Sequence, residues 1–238
     1  MMSLHAATPE SPVLATEAVE NYLKAIYALC RESATGEAAM SRIATLVGVT
    51  TGTATTMVKK LTAGKFVRYE RFGGVKLTVK GDKAAIDILR RHRLIETFLV
   101  ETLNLDWSVV HAEAERLEHA ISPVVLEALD KHLGHPSVDP HGDPIPDSQG
   151  GVREARGKSL TDFPPGTRVR VSRIVDQDQQ FLAFVAKHGL KPGSLARIVA
   201  ADPPAQSILI EARDYPRISL AFAAAGKILA EPISTFSA

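Results

Sequence analysis

The chain has 238 residues, 45% of them hydrophobic, and its 28 Lys and Arg nearly balance 27 Asp and Glu for a formal net charge of +1. That length accommodates two or three small domains, each with its own core. Near-neutrality excludes a globally basic nucleic-acid binder, although local charge can still dock a groove, and the single cysteine, Cys30, excludes a disulfide framework. Cys30 follows the apolar helical stretch Tyr22 to Leu29 and reads as core. No run approaches the ~20 continuous apolar residues of a membrane span. Residues 1–20 lack the basic segment and apolar run of a signal peptide. A soluble, cytoplasmic chain with no membrane partner is expected.

In chain order, Val19, Tyr22, Leu23, Ile26, Tyr27 and Leu29 recur at helical spacing. A polar break at Ala34 to Glu37 precedes a short helical segment, Met40 to Val47, that stops at Gly48. Thr50 and Thr51 are placed to cap a helix running from Gly52 to about Ala63, with Gly64 as its end signal. Phe66 to Arg71 and Val75 to Val79 read as two short strands around Phe72-Gly73-Gly74, a hairpin. Helix, helix-turn-helix and hairpin in that order make a winged helix-turn-helix; a generic α+β domain is the competing reading. In such a recognition helix Thr50, Thr51, Thr53, Thr55 and Thr56 offer hydroxyls and methyls to the major groove. Lys59 and Lys60 offer charge to phosphates, and Arg68, Arg71 and Lys76 lie on the wing. The same threonines also suit plain helix capping. Threonine carries little base information, so DNA shape and half-site spacing are expected to supply much of the specificity.

Lys80 to Leu133 is almost entirely helical in pattern. At ~100° per residue, His111, Glu115, Glu118 and His119 on one helix fall within an arc of roughly 100°. That arc borders the apolar stripe of Leu117, Ile121 and Val125. On an earlier helix His92 and Glu96 share a face at i, i+4. Two facing helices would present three histidines and three carboxylates, donors suited to Zn²⁺, Fe²⁺ or Mn²⁺ rather than to soft ions. A row of solvated ion pairs is the bland competitor. His5, His132, His135, His141 and His188 lack such company and read as ordinary histidines. The apolar face with Leu99, Leu103, Leu105 and Trp107 is expected to make a homodimer.

Pro136 to Gly151 reads as a linker by its prolines and glycines. From Phe163 the period switches to alternation, at Arg168 to Ser172, Leu195 to Val199, Ile208 to Ile210 and Ile218 to Leu220, with proline-bearing turns between and one helical segment, Gln179 to Lys187. A small β-barrel is expected. The fold class is therefore α+β: a winged helix-turn-helix over residues 1–80, a helical metal-binding and dimerisation domain over 81–136, a linker over 137–160, and an SH3-like barrel over 161–238.

Arg91-His92-Arg93-Leu94-Ile95-Glu96 and the run from His111 through Glu115 to Glu118-His119 resemble the signature of the DtxR/MntR family of iron- or manganese-responsive, diphtheria-toxin-repressor-like regulators. Glu20 to Tyr27 is similar to that family's first helix, Pro140 to Pro146 to its proline-rich stretch, and the last block to its SH3-like, FeoA-type domain. The resemblance implies that His92, Glu96, His111, Glu115, Glu118 and His119 are metal ligands. Iron-type members carry Cys where this chain has Glu115, and manganese-type members carry Glu. A carboxylate makes the site harder, which implies Mn²⁺, with Fe²⁺ as the alternative. The family's first-helix ligand, Asp or Met, is Asn21 here, an uncharged amide oxygen, and Lys24 departs from the acid of the manganese type. Asp178 or Gln180 is the implied donor from the barrel.

The implied function is a metal-activated homodimer that binds double-stranded operator DNA and represses metal-uptake genes when the ion is plentiful, with no organic ligand and no enzymatic activity. Metal joining the first helix to the second block would fix the DNA-reading heads. Two readings from other classes compete: a metallohydrolase with Glu118 as base beside a metal on His111, Glu115 and His119, and a winged-helix sensor of an organic ligand. No nucleophile motif supports the first, and it leaves the winged-helix pattern unexplained.

Overall fold

Thr16 opens the first helix, its hydroxyl accepting from the Val19 N–H, and α1 runs Glu17–Glu32 with Val19, Leu23 and Ile26 buried on one face. In the computed structural model residues 16–70, 73–154 and 157–233 are described, and they divide into one unit through Ile88 and another from Leu89. In the first unit α2 (Met40–Val47) ends at Gly48, whose φ of 74° gives the left-handed turn that closes it. After Val49, Thr50 caps α3 (Thr51–Ala63) by accepting from the Thr53 N–H. A three-residue turn between two helices is the helix-turn-helix arrangement. The wing follows as β1 (Val67–Tyr69) antiparallel to β2 (Val75–Leu77). Ile43, Ala54, Val58, Leu61 and Val75 are almost wholly buried, and each large aliphatic removed from water contributes roughly 1.5–3 kcal/mol. Cys30 is half-buried, its thiol donating to the Val75 carbonyl at 3.4 Å.

The Thr78 hydroxyl accepts from the Gly81 N–H and starts α4 (Val79–Glu101). In the second unit α5 (Val110–Leu117) and α6 (Pro123–His132) follow, α6 capped by Ser122 with proline in its first turn. The helix expected to reach His119 ends at Leu117: Glu118 keeps helical angles as its cap, and His119 lies on the turn beyond. The barrel is a six-stranded antiparallel sheet in the order β3 (Lys158–Ser159), β8 (Ile228–Pro232), β4 (Arg168–Ile174), β5 (Leu195–Asp202), β6 (Ser207–Ala212), β7 (Ile218–Ala221). The helix α7 (Gln179–Lys187) lies between β4 and β5 in the chain, and a one-turn α8 (Phe222–Ala225) lies between β7 and β8. Along β4 Val169 and Val171 point inward while Arg168 and Arg170 face water, the alternation a one-sided sheet requires. Two strands, β3 and β8, were not among those expected. No helix among the described residues is long and apolar enough to cross a membrane.

Trp107 and Leu99 do not face a dimer partner. Trp107 packs into the barrel core beside Leu160 and Ile174, and Leu99 packs with Ile95, Val110 and Ala114. Of the four expected interface residues, Leu103 and Leu105 are exposed.

The proline-rich stretch is buried at Asp139 and throughout His141 to Pro146. The Trp107 indole donates to the Pro140 carbonyl at 2.9 Å, and the Ile174 N–H donates to the His141 carbonyl at 2.9 Å, joining the stretch to β4. Gly142 has φ +89°, and a Cβ there would lie 2.1 Å from the Ser172 carbonyl oxygen. Gly142→Ala is therefore expected to cost at least about 2 kcal/mol and to lower the melting temperature by roughly 4–8 °C. Unchanged thermal unfolding would contradict this packing.

Candidate metal centre

α4 points His92 and Glu96, one turn apart, into the second unit's interior, where both are buried. His92 Nδ1 lies 2.5 Å from Glu118 Oε2, while its Nε2 lies 3.0 Å from Glu96 Oε1 and 3.0 Å from His111 Nδ1. Glu96 Oε1 also stands 3.0 Å from His111 Nδ1 and 3.8 Å from His141 Nδ1. Glu115 Oε1 sits 4.0 Å from His92 Nδ1 and 3.8 Å from His111 Nε2. The Arg91 guanidinium donates to the Glu118 carbonyl at 3.0 Å, which holds the turn carrying Glu118 and His119 against α4.

Among the described residues three groups bring ligand atoms within 4.8 Å of one another: His92, Glu96 and His111; His92, Glu115 and Glu118; and Glu96, Asp139 and His141. His92 belongs to the first two and Glu96 to the first and third, so the groups form one continuous cluster. His119 lies outside them, its Nε2 3.6 Å from Glu118 Oε1. Asn21 on α1 has a buried side-chain oxygen that accepts no hydrogen bond. Asp178 is exposed and caps α7 by accepting from the Phe181 N–H, and Gln180 is exposed on that helix; neither joins a ligand group.

Asp139 and His141 were outside the sequence-based candidate set, and the structure brings them beside Glu96. His141 is no ordinary surface histidine: it is fully buried, with Nε2 3.1 Å from the Trp107 carbonyl. The available signal was an acid and a histidine two apart in a proline-rich stretch, which has no periodicity to flag it.

The buried acids and imidazoles of this cluster act strongly on one another. Burial alone would raise the Glu96 carboxyl, but the His92 charge, hydrogen bonds from His111 and His92, and the nearby His141 imidazole hold it well below the usual range. Burial pushes Asp139 well above that range, and Glu96 and Asp143 push the same way. Burial works to lower His141, yet Glu96 and Asp139 outweigh it and raise the imidazole. Glu96 Oε2, Asp139 Oδ2 and His141 Nδ1 are buried without a hydrogen-bond partner. Buried polar atoms left this way are costly, and a divalent ion coordinated by imidazole nitrogen and carboxylate oxygen satisfies such atoms together.

The barrel braces this cluster. Asp143 Oδ1 lies 2.7 Å from an Arg173 guanidinium nitrogen and 3.3 Å from one of Arg93, and the Gln177 amide donates to Asp143 Oδ2 at 3.1 Å. Asp139 Oδ1 accepts from the backbone N–H groups of His141 and Asp143 at 2.8 and 2.9 Å. Outer-shell partners that orient ligands typically matter 10–100-fold in affinity. Arg173→Met is thus expected to weaken metal binding by about tenfold or more without removing a ligand, as calorimetry on the metal-stripped protein would read. Unaltered affinity would show that Asp143 does not position the ligands.

In the DNA-reading head Thr51, Thr53, Thr56, Lys59 and Lys60 are exposed along α3, and Thr55 is half-buried. Several hydroxyls are already engaged: Thr50 with Thr53, Thr55 with the Thr51 carbonyl, and Thr56 with the Gly52 carbonyl. Their methyls remain available for apolar contact. Arg68 and Lys76 are cross-strand neighbours on the exposed wing, Lys76 also 2.8 Å from Glu37. Arg71 lies outside the described residues.

Three family models match in order. They are the N-terminal DNA binding domain of the iron dependent repressors over residues 15–75, their metal binding and dimerisation domain over 78–147, and the FeoA domain over 158–232. The iron-dependent repressor IdeR of Mycobacterium leprae is 31% identical over 216 residues, covering 86% of this chain and 92% of its own. The HTH-type regulator MntR of Shouchella clausii is 36% identical over 116 residues, covering 49% and 77%. A manganese-dependent transcriptional repressor solved in complex with manganese superposes with a TM-score of 0.82 at 36% identity, covering 90% of this chain and 99% of that one. ScaR with bound Cd²⁺ gives 0.77 at 31%, covering 92% and 100%.

Proposed function

Because the chain belongs to the iron-dependent repressor (DtxR/MntR) family, whose DNA-binding, metal-binding and dimerisation, and FeoA modules it carries in order, we propose that it is a Mn²⁺-activated repressor of metal-uptake genes. It is a metal-dependent DNA-binding transcriptional repressor and not an enzyme. The observation that carries the manganese reading is the donor chemistry. Every member of the three ligand groups is His, Asp or Glu, with no thiolate among them. Carboxylate-rich sets suit Mn²⁺ better than sulfur-bearing sets do. The iron alternative draws support from IdeR relatives, the manganese reading from MntR and the manganese repressors.

The ion would be held by His92, Glu96, His111, Glu115 and Glu118, with His119, Asp139 and His141 as further donors; when bound, it supplies the positive charge that lets these carboxylates sit together. His92 and Glu96 do the joining, since each serves two ligand groups. A metal shifts the DNA-binding equilibrium only by its difference in affinity for the two states. Titrating metal-stripped protein anaerobically with Mn²⁺ or Fe²⁺, and following a fluorescent fragment of its own promoter by anisotropy, tests the ion. Binding at lower free Mn²⁺ than Fe²⁺ supports manganese; the reverse order assigns iron.

The family's dimerisation domain implies a homodimer. We place its interface on α5 and α6, where Leu117, Val124 and Val125 are exposed, Val124 to 80%. Contiguous exposed apolar side chains on a helix mark an interaction face. Leu117→Glu with Val124→Glu is expected to convert the dimer to monomer in sedimentation at micromolar concentration. A variant that remains dimeric would move the interface elsewhere.

A further inference from the structure

The barrel carries a charged face that the metal switch does not use. Between Lys158 and Pro232 the sequence has ten Lys and Arg against seven Asp and Glu, an excess of three in a chain whose total is +1. Strand alternation and register collect much of the positive charge outside the sheet. Arg168 and Arg197 are cross-strand neighbours, Arg170 lies two residues along β4, and Arg213 and Arg217 follow at the end of β6 and start of β7. All five are exposed, as is Lys191 nearby. Two grooves, about 560 and 700 Å³, share Leu195, Arg213, Asp214 and Tyr215, so they run into one another.

The acidic residues on this face are Glu211, Asp214 and Glu231, the last opposite Arg170. Glu211 sits between Arg197 and Arg217, at 3.2 and 3.1 Å, and holds both guanidinium groups in place. Arg170 donates to the Gly193 carbonyl at 3.1 Å. The Tyr215 ring lies so close over Gly189 that a Cβ there would come within 2.3 Å of it. A bound anion therefore meets Arg170, Arg197 and Arg217 already held by neighbours, which reduces the entropy cost of contact there. Arginine rather than lysine dominates, and its planar fork matches phosphate oxygens two at a time.

We infer that this arginine face of the barrel docks the phosphate backbone of duplex DNA, adding a sequence-independent contact to those of the winged helix-turn-helix. The inference rests on the reading of the chain as a DNA-binding repressor and names a surface outside the DNA-reading head. An apolar peptide is a poorer occupant, because Leu195, Tyr215 and Ile233 are the large apolar or aromatic side chains lining the grooves. The threonine-rich reading helix has several hydroxyls bonded to its own backbone, so added phosphate contacts would supply affinity that base contacts do not.

The test uses the full-length protein with Mn²⁺ and measures the salt dependence of binding to a promoter fragment and to an unrelated duplex of equal length. The triple variant Arg168→Gln, Arg170→Gln, Arg213→Gln removes three charges; the corresponding Lys triple keeps them. Each lost phosphate contact lowers the slope of log K against log salt by about 0.9. The Gln triple should therefore flatten the slope by roughly 2–3 on both duplexes and weaken binding more than tenfold at low salt, while the Lys triple keeps most of the slope. An unchanged slope in the Gln triple overturns the inference, and so does binding of polyglutamate at this face in place of DNA. Promoter binding without any metal dependence would count against the repressor reading alone, because the slope difference between wild type and the Gln triple is still read on the unrelated duplex.

Discussion

Glu96→Gln is expected to abolish metal-switched DNA binding while leaving the chain folded. The substitution keeps the volume of a residue with no exposed side-chain surface, so the core around α4 loses no packing. It removes the one carboxylate that faces three histidines, His92 and His111 at 3.0 Å and His141 at 3.8 Å. Those histidines hold its charge firmly, against a burial penalty that would otherwise favour the proton. Glu96 also belongs to two of the three ligand groups, so its loss disconnects Asp139 and His141 from the rest. Removing an outer-shell partner costs 10–100-fold in affinity; loss of a shared ligand should cost at least about 100-fold by the same scale. Calorimetric metal binding and promoter anisotropy should fall together. A variant that binds Mn²⁺ and DNA like wild type would mean the cluster is a structural ion-pair network.

The second large effect concerns which ion works. Glu115 is partly exposed at the open side of the cluster, 4.0 Å from His92 and 3.8 Å from His111. Glu115→Cys replaces a hard oxygen with a soft sulfur and shortens the reach of the side chain. The activating concentration of Mn²⁺ should rise by more than about tenfold relative to that of Fe²⁺ or Zn²⁺, because thiolate favours softer ions. Competition titrations on one anaerobic preparation would read the ratio. An unchanged ratio would place selectivity at Asp139 and His141.

Local signals carried the DNA-reading head. Gly48, Thr50 and Gly64 act within a turn of their own positions, so α2 and α3 lie where helix-stop and capping chemistry put them. Strand alternation at Arg168 to Val171 and the period of Gln179 to Lys187 were legible for the same reason. The end of α5 was not: Glu118 keeps helical angles, and no Gly or Pro marks the stop before Pro123. Tertiary contact decided the rest. Trp107 reads as an interface residue until the barrel supplies a core for it, and Pro136 to Gly151 reads as a linker until its carbonyls and Asp143 are seen bonded to α4 and β4. Of the candidate ligands, His92, Glu96, His111, Glu115 and Glu118 are brought together in the two overlapping groups that share His92. Asp139 and His141 reach Glu96 through the folding-back of that proline-rich stretch, which no periodicity encodes.

The most direct test compares wild type with the Glu115→Ala, His119→Ala double variant, both metal-stripped, in Mn²⁺ titrations of promoter binding followed by fluorescence anisotropy. Tight binding that appears only with the ion in wild type, and is lost in the double variant at every Mn²⁺ concentration, is the result this account requires. Promoter binding that needs no metal, or that survives both substitutions, would contradict the claim that the His and Glu cluster is the switch.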